Sequence, residues 1–154
     1  MKFAYINDDH HLAGTKWKRS DLREWFIQVF EAPKVPISPG CTLEIRKHVE
    51  SMLLSQGWAL NVGLDQNYRL TIFAEKQGTA FQLQTGNVSR APYDLLKLQY
   101  LFQKKRINLA VLALPTKETA KIIGSNLANS ERVINELKLF YQVITVPIIV
   151  IAFN

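Results

Sequence analysis

Two apolar runs near the C-terminal end constrain this chain more than any other feature. INLAVLALP (residues 107–115) and VITVPIIVIAF (residues 143–153) are almost unbroken in apolar side chains. A strand with one wet face alternates apolar and polar residues, so a continuous run marks a strand covered on both faces. The second run is too short to span a bilayer as a helix, contains Pro147 and is rich in β-branched residues. It reads as a buried strand. Between the two runs lies a helical pattern over about residues 130–141, carried by Val133, Ile134, Leu137, Phe140 and Tyr141.

Upstream, three shorter strand candidates follow one another: WALNVGL (58–64), YRLTIFAEK (68–76) and TAFQLQT (79–85). Only Gln77 and Gly78 separate the last two, which suits a tight hairpin with glycine supplying a positive φ. Thr42 is a candidate cap for the preceding helix, whose stripe is Ile45, Val49, Met52 and Leu53, with Gly57 at its end. A second helix is expected over about residues 89–103, with Leu95, Leu96, Leu98, Leu101 and Phe102 on its apolar side. Its Arg90, Asp94 and Lys97 are spaced by four and three, so they share a face and can pair. From Thr42 onward the order is helix, three-stranded meander, helix, strand, helix, strand. That order predicts an α/β fold with a mixed sheet and helices on both faces.

A chain of 154 residues predicts one domain. Residues 41–154 hold the strand-rich core. Residues 1–40 differ in texture and are read as an appendage, packed on the core or used at an interface. Ser20 can cap a helix over about residues 21–30, and the proline-rich APKVPISPG (32–40) follows it. Asp8, Asp9, His10 and His11 lack strand or helical spacing and are read as a polar tail rather than a metal site.

The net charge of +6 favours a polyanionic partner, nucleic acid before acidic membrane. Lys16, Lys18 and Arg19 form one basic group. Arg90, Lys97, Lys104, Lys105 and Arg106 form another. Either could meet phosphates. Cys41 is the single cysteine, so no intrachain disulfide forms, which fits a cytoplasmic location. The N-terminal residues have no apolar stretch of signal-peptide length, and no membrane span is expected. No P-loop, dinucleotide fingerprint, zinc motif or nucleophile elbow is present, so no nucleotide cofactor is expected.

The string QLQTGNVSRAPYDLLKLQYLF (82–102) resembles the segment of BglII/BamHI-type restriction endonucleases that begins with Glu-x-Gln or Glu-x-Glu. In many relatives Gly-Asn, an arginine and an Asp-x-x-Lys helix follow; here these are Gly86, Asn87, Arg90, Asp94 and Lys97. ALPTKETAKIIGSNLANSERVINEL (113–137) is similar to the later strand and helices of the same group. The resemblance covers about residues 42–154 and places the chain with the PD-(D/E)xK, restriction-endonuclease-like superfamily. It implies a Mg²⁺-dependent DNA endonuclease that acts on double-stranded DNA as a homodimer. The alternative is a catalytically inactive homologue that binds DNA or a nuclease partner.

Carried over by position, Gln84 matches the last motif residue, which positions the attacking water. Gln82 falls where a metal-binding acid is expected. Asp65, seventeen residues before Gln82, is the leading candidate for the first acid, so Asp65 and Gln82 are the expected metal ligands. Glu75 ranks behind Asp65, and Glu50 on the first helix could add a carboxylate. Asn87, Arg90 and Lys97 are candidate DNA contacts, with Lys16, Lys18 and Arg19 as a second group. A tight turn at Gln77-Gly78 would put Gln82 opposite Phe73 or Ala74, leaving Asp65 further along the hairpin. From the residues alone, Gln82 and Gln84 could equally be the polar face of a strand, and Asp65 part of a polar turn.

Overall fold

The computed structural model describes residues 1–17 and 21–154. Ser20, expected as a cap, and Lys18 and Arg19, expected as DNA contacts, lie outside the described residues. One six-stranded sheet runs through the molecule in the order β1-β6-β5-β4-β3-β2. Its strands are β1 (Phe3–His10), β2 (Ala59–Asp65), β3 (Tyr68–Lys76), β4 (Thr79–Leu83), β5 (Leu109–Pro115) and β6 (Ile148–Phe153). The helices are α1 (Ala13–Trp17), α2 (Leu22–Phe30), α3 (Thr42–Ser55), α4 (Arg90–Gln103), α5 (Lys117–Ile123) and α6 (Ser130–Leu139). The expected α/β order is present, with β4, β5 and β6 parallel and the flanking pairs antiparallel.

The two apolar runs are unbroken because the sheet is covered on both sides. Phe81, Val111, Ala113, Ile149 and Ile151 pack with Phe26, Phe30, Ile45, Val49 and Leu53 of α2 and α3. The alternate residues Ala80, Ala110, Leu112, Ile148 and Val150 pack with Leu95, Leu98, Leu101, Val133 and Leu137 of α4 and α6. Every residue of β4, β5 and β6 is buried. The last strand starts only after Pro147, which has no N–H for a ladder. Ahead of it, the N–H groups of Thr145 and Val146 donate to Gln99 Oε1 at 2.8 and 2.9 Å. This buried glutamine ties α4 to the start of β6.

The polar N-terminal stretch is not a tail. Residues 3–10 form β1, an antiparallel edge strand on β6. An edge strand has one unpaired side and tolerates polar residues there, so FAYINDDH begins with four apolar residues but runs on into Asn, Asp, Asp and His without alternation. His10 closes the strand, is buried, and its Nε2 donates to Ile144 O at 2.7 Å. Burial holds the His10 pKa below the usual histidine range, against the pull of the Ile144 carbonyl and with help from neighbouring His11. The His11 and Tyr141 rings meet that of His10 edge-on, with ring centres 4.7 and 5.4 Å away.

A histidine with a depressed folded pKa binds protons more readily when unfolded. The neutral ring therefore supports the fold fully above the unfolded pKa, and that support declines as pH falls below it. Urea unfolding at pH 7 and pH 5 is expected to show a smaller acid loss in His10→Gln, which keeps an N–H donor for Ile144. An unchanged acid loss would refute this role.

Candidate functional site

Gln77 and Gly78 both have positive φ, at 47° and 76°, as a two-residue type I′ hairpin requires. The turn fixes the register Lys76↔Thr79, Glu75↔Ala80 and Ala74↔Phe81. One step further, Phe73 comes opposite Gln82, and its N–H donates to Gln82 Oε1 at 3.0 Å. Here the strands open into a cleft of about 690 Å³ at the C-terminal end of β4. Ligand sites of open α/β sheets form at this end of parallel strands.

Gln84 leaves β4 and joins it to α4. Its Oε1 accepts from Gly86 N–H at 2.7 Å, and its amide nitrogen donates to Asp94 Oδ2. Asp94 Oδ1 accepts from Lys97 Nζ at 2.9 Å. A Cβ on Gly86 would sit 3.0 Å from Gln84 Oε1, so glycine allows this close turn. Asn87 Oδ1 accepts from Ser89 N–H at 2.9 Å, and both residues are exposed in the turn just ahead of Arg90. The pairing of Asp94 with Lys97 matches the expected helix face. Arg90 shares the cleft but makes no ion pair among the described residues.

The proposed acids are not gathered here. Asp65 sits at the β2–β3 turn, paired with Tyr68. Tyr68 is five residues before Phe73 along β3, roughly 17 Å at the rise of an extended strand. Asp65 accepts from Asn67 N–H at 2.8 Å and from Tyr100 O–H at 3.0 Å. These bonds, first the one from Asn67, hold its carboxyl below the ordinary range, and the same contact raises the Tyr100 hydroxyl. Asp65 thus closes a turn and fastens the hairpin to α4. It lines a separate apolar groove with Tyr68, Leu70 and Leu96. Glu75 is drawn away by Arg106. Glu50 pairs with Arg46 at 2.8 Å and does not line the cleft. Lys16 is exposed on α1, which packs on β1 and β6, remote from β3.

Two cleft residues escaped the sequence reading. Arg46 reaches in from α3, its guanidinium 4.9 Å from the centre of the Phe73 ring. Thr42, one turn earlier, lines the same wall. Their four-residue spacing places both on one helix face, but nothing in the sequence says that β3 and β4 open beneath it. Arg46, Arg90 and Lys97 supply three cations to the cleft against one carboxylate, Asp94.

The sequence profile described as Restriction endonuclease BglII/BglIII matches residues 8–153. The chain belongs to this restriction endonuclease family. The fold agrees. A crystal structure of restriction endonuclease BglII complexed with a DNA 16-mer superimposes with a TM-score of 0.80 at 15% identity, covering 99% of this chain and 76% of that one. A structure of free BglII gives a TM-score of 0.60 at 16% identity, covering 100% and 80%. No curated protein matches the chain in sequence.

Family membership raises the question of a divalent metal, and the donor set here does not fit one. Mg²⁺ needs oxygen donors, with carboxylates to supply charge. Hairpin register puts Phe73 across from Gln82, and an aromatic ring offers no such donor. The side-chain oxygens of Gln82 and Gln84 each already accept a backbone N–H. Asp94 is held by Gln84 and Lys97. Among the described residues no three of His, Cys, Asp and Glu converge as a metal group. No helix among them is long and apolar enough to cross a membrane.

Proposed function

We propose that this family member binds double-stranded DNA in the cleft without hydrolysing it. One observation carries the reading: the cleft is lined by Arg46, Arg90 and Lys97 with a single carboxylate. Hydrolysis in this fold depends on acids that hold Mg²⁺ at the phosphate. A cleft with Phe73 and Gln82 at those positions and cations reaching in from α3 and α4 attracts the DNA backbone but lacks the acids that would activate water. The net charge of +6 supports the same partner. Arg90 in the cleft and the exposed Asn87 ahead of it in the chain are the proposed backbone contacts, and a homodimer on one duplex belongs to the same reading.

A Mg²⁺-dependent endonuclease is the second reading, favoured by Gln84, which keeps the last motif position in an ordered setting. Incubating plasmid and mixed-sequence DNA with Mg²⁺ or Mn²⁺ separates the two. The expected result is retention of DNA in a gel with no nicking above a buffer control. Metal-dependent nicking that disappears in Gln84→Ala would establish the nuclease instead. Light scattering of the DNA complex reads the number of copies bound.

A further inference from the structure

The orientation of Gln82 decides what the cleft presents to a ligand. A backbone N–H only donates, so the Gln82 atom facing Phe73 N is its oxygen. The amide NH₂ therefore points the other way. It has no acceptor among the described residues and is not sealed from solvent, so it opens into the cleft. At this position the cleft offers a donor, the opposite of what a metal ligand offers.

Arg46 extends the same polarity. Its guanidinium is steadied on two sides, by the Phe73 ring at 4.9 Å and by Glu50, which takes the Nε–H at 2.8 Å. A guanidinium fixed over an aromatic face loses little side-chain freedom on binding. Its two terminal nitrogens make no hydrogen bond among the described residues. Phe73 is neutral and adds no second anion to Arg46; the carboxylate that Arg46 does meet, Glu50, engages its Nε and leaves the two terminal nitrogens for a ligand. From the other wall comes Arg90, the first residue of a fourteen-residue helix. Its guanidinium is free of ion pairs among the described residues, and the helix terminus adds partial positive charge. Lys97 contributes less because Asp94 engages it.

We infer that Arg46, the Gln82 amide and Arg90 form a receptor for a DNA phosphodiester that works without a divalent metal. This rests on the DNA-binding reading above. Exchanging acceptors for donors changes the site from one that reaches phosphate through a cation to one that grips the phosphate oxygens directly.

Fluorescence anisotropy of a labelled duplex tests this, with the full chain titrated in EDTA and again in Mg²⁺ or Ca²⁺. Wild-type affinity is expected to be the same in both buffers. Arg46→Ala should weaken binding in EDTA by about tenfold, the loss of one charge-assisted bond. It should also reduce the salt slope by about one. Gln82→Glu keeps the acceptor for Phe73 N–H, so it preserves the fold while replacing the donor with a carboxylate. Its affinity should fall in EDTA, because the donor is lost and a negative charge then faces the phosphate, and with no acid at position 73 added Ca²⁺ should restore little of it. Inorganic phosphate at moderate concentration should compete weakly, since one phosphate lacks the remaining backbone contacts.

Loss of wild-type binding in EDTA would overturn the receptor, as would an unaltered affinity in Arg46→Ala or in Gln82→Glu. Full competition by inorganic phosphate would show a free-anion site instead. Absence of DNA binding by the wild type in every buffer would overturn the DNA-binding reading itself, a different and recognisable failure.

Discussion

Asp94→Ala is expected to destabilise the protein by about 3 kcal/mol, the lower end of the cost of breaking a buried ion pair from one side. Asp94 is nearly sealed, with 4% of its side chain exposed, and its partner Lys97 is 15% exposed. Removing the carboxylate strands the Lys97 ammonium and frees the Gln84 amide that joins β4 to α4. Lys97 retains some access to water, which limits the loss. For a chain of this size the change corresponds to a fall in Tm of roughly 6–12 °C. Asp94→Asn should cost less, because one oxygen remains to accept from one of the two donors. Denaturant melts of both variants check the order. A loss below about 1 kcal/mol for alanine would mean that the pair contributes no more than an exposed one.

Asp94→Asn also separates the two functional readings. Removing the only carboxylate among the described cleft residues makes the cleft more positive. A phosphate-binding cleft should therefore hold DNA at least as tightly in the folded variant, whereas a nuclease relying on that carboxylate would lose cleavage.

Phe81→Ala should cost still more, about 4 kcal/mol, through lost apolar contact and the cavity left behind. Phe81 is fully buried. It stacks on Phe26 with ring centres 5.2 Å apart and meets Phe73 and Trp58 in T-shaped contacts with ring centres 5.7 and 6.4 Å away. It joins α2, the chain after α3, and two strands in one aromatic cluster. Because Phe73 supports Arg46, the effect should reach the cleft as well. A melt shifted by no more than an exposed substitution would show that the cluster contributes little.

Much of the frame was legible in the residues. The buried strands showed as continuous apolar runs, and the β3–β4 hairpin showed as Gln77-Gly78 between β-rich segments. Once that turn was accepted, the pairing of Phe73 with Gln82 followed by counting. The helix faces of α3, α4 and α6 came from spacing. The edge strand β1 was not legible, because it is only half-buried and its second half, Asn7 to His10, is polar without the alternation of a strand. The late start of β6 depended on Gln99, forty-six residues from Thr145 in the chain, satisfying two N–H groups that would otherwise belong to a strand.

The site divides along the same line. The sequence determined that glutamines, not acids, stand at positions 82 and 84, and that Asp94 and Lys97 face the same side of a helix. Local periodicity and composition suffice for such statements. Only the tertiary structure decided that Asp65 closes a distant turn, that Glu50 and Glu75 are taken by arginines, and that Arg46 enters the cleft over Phe73. The same holds for the direction in which the Gln82 amide points, set by one hydrogen bond to the neighbouring strand. Those facts depend on how separate elements meet, and charge balance in a cleft is a property of that meeting rather than of any segment.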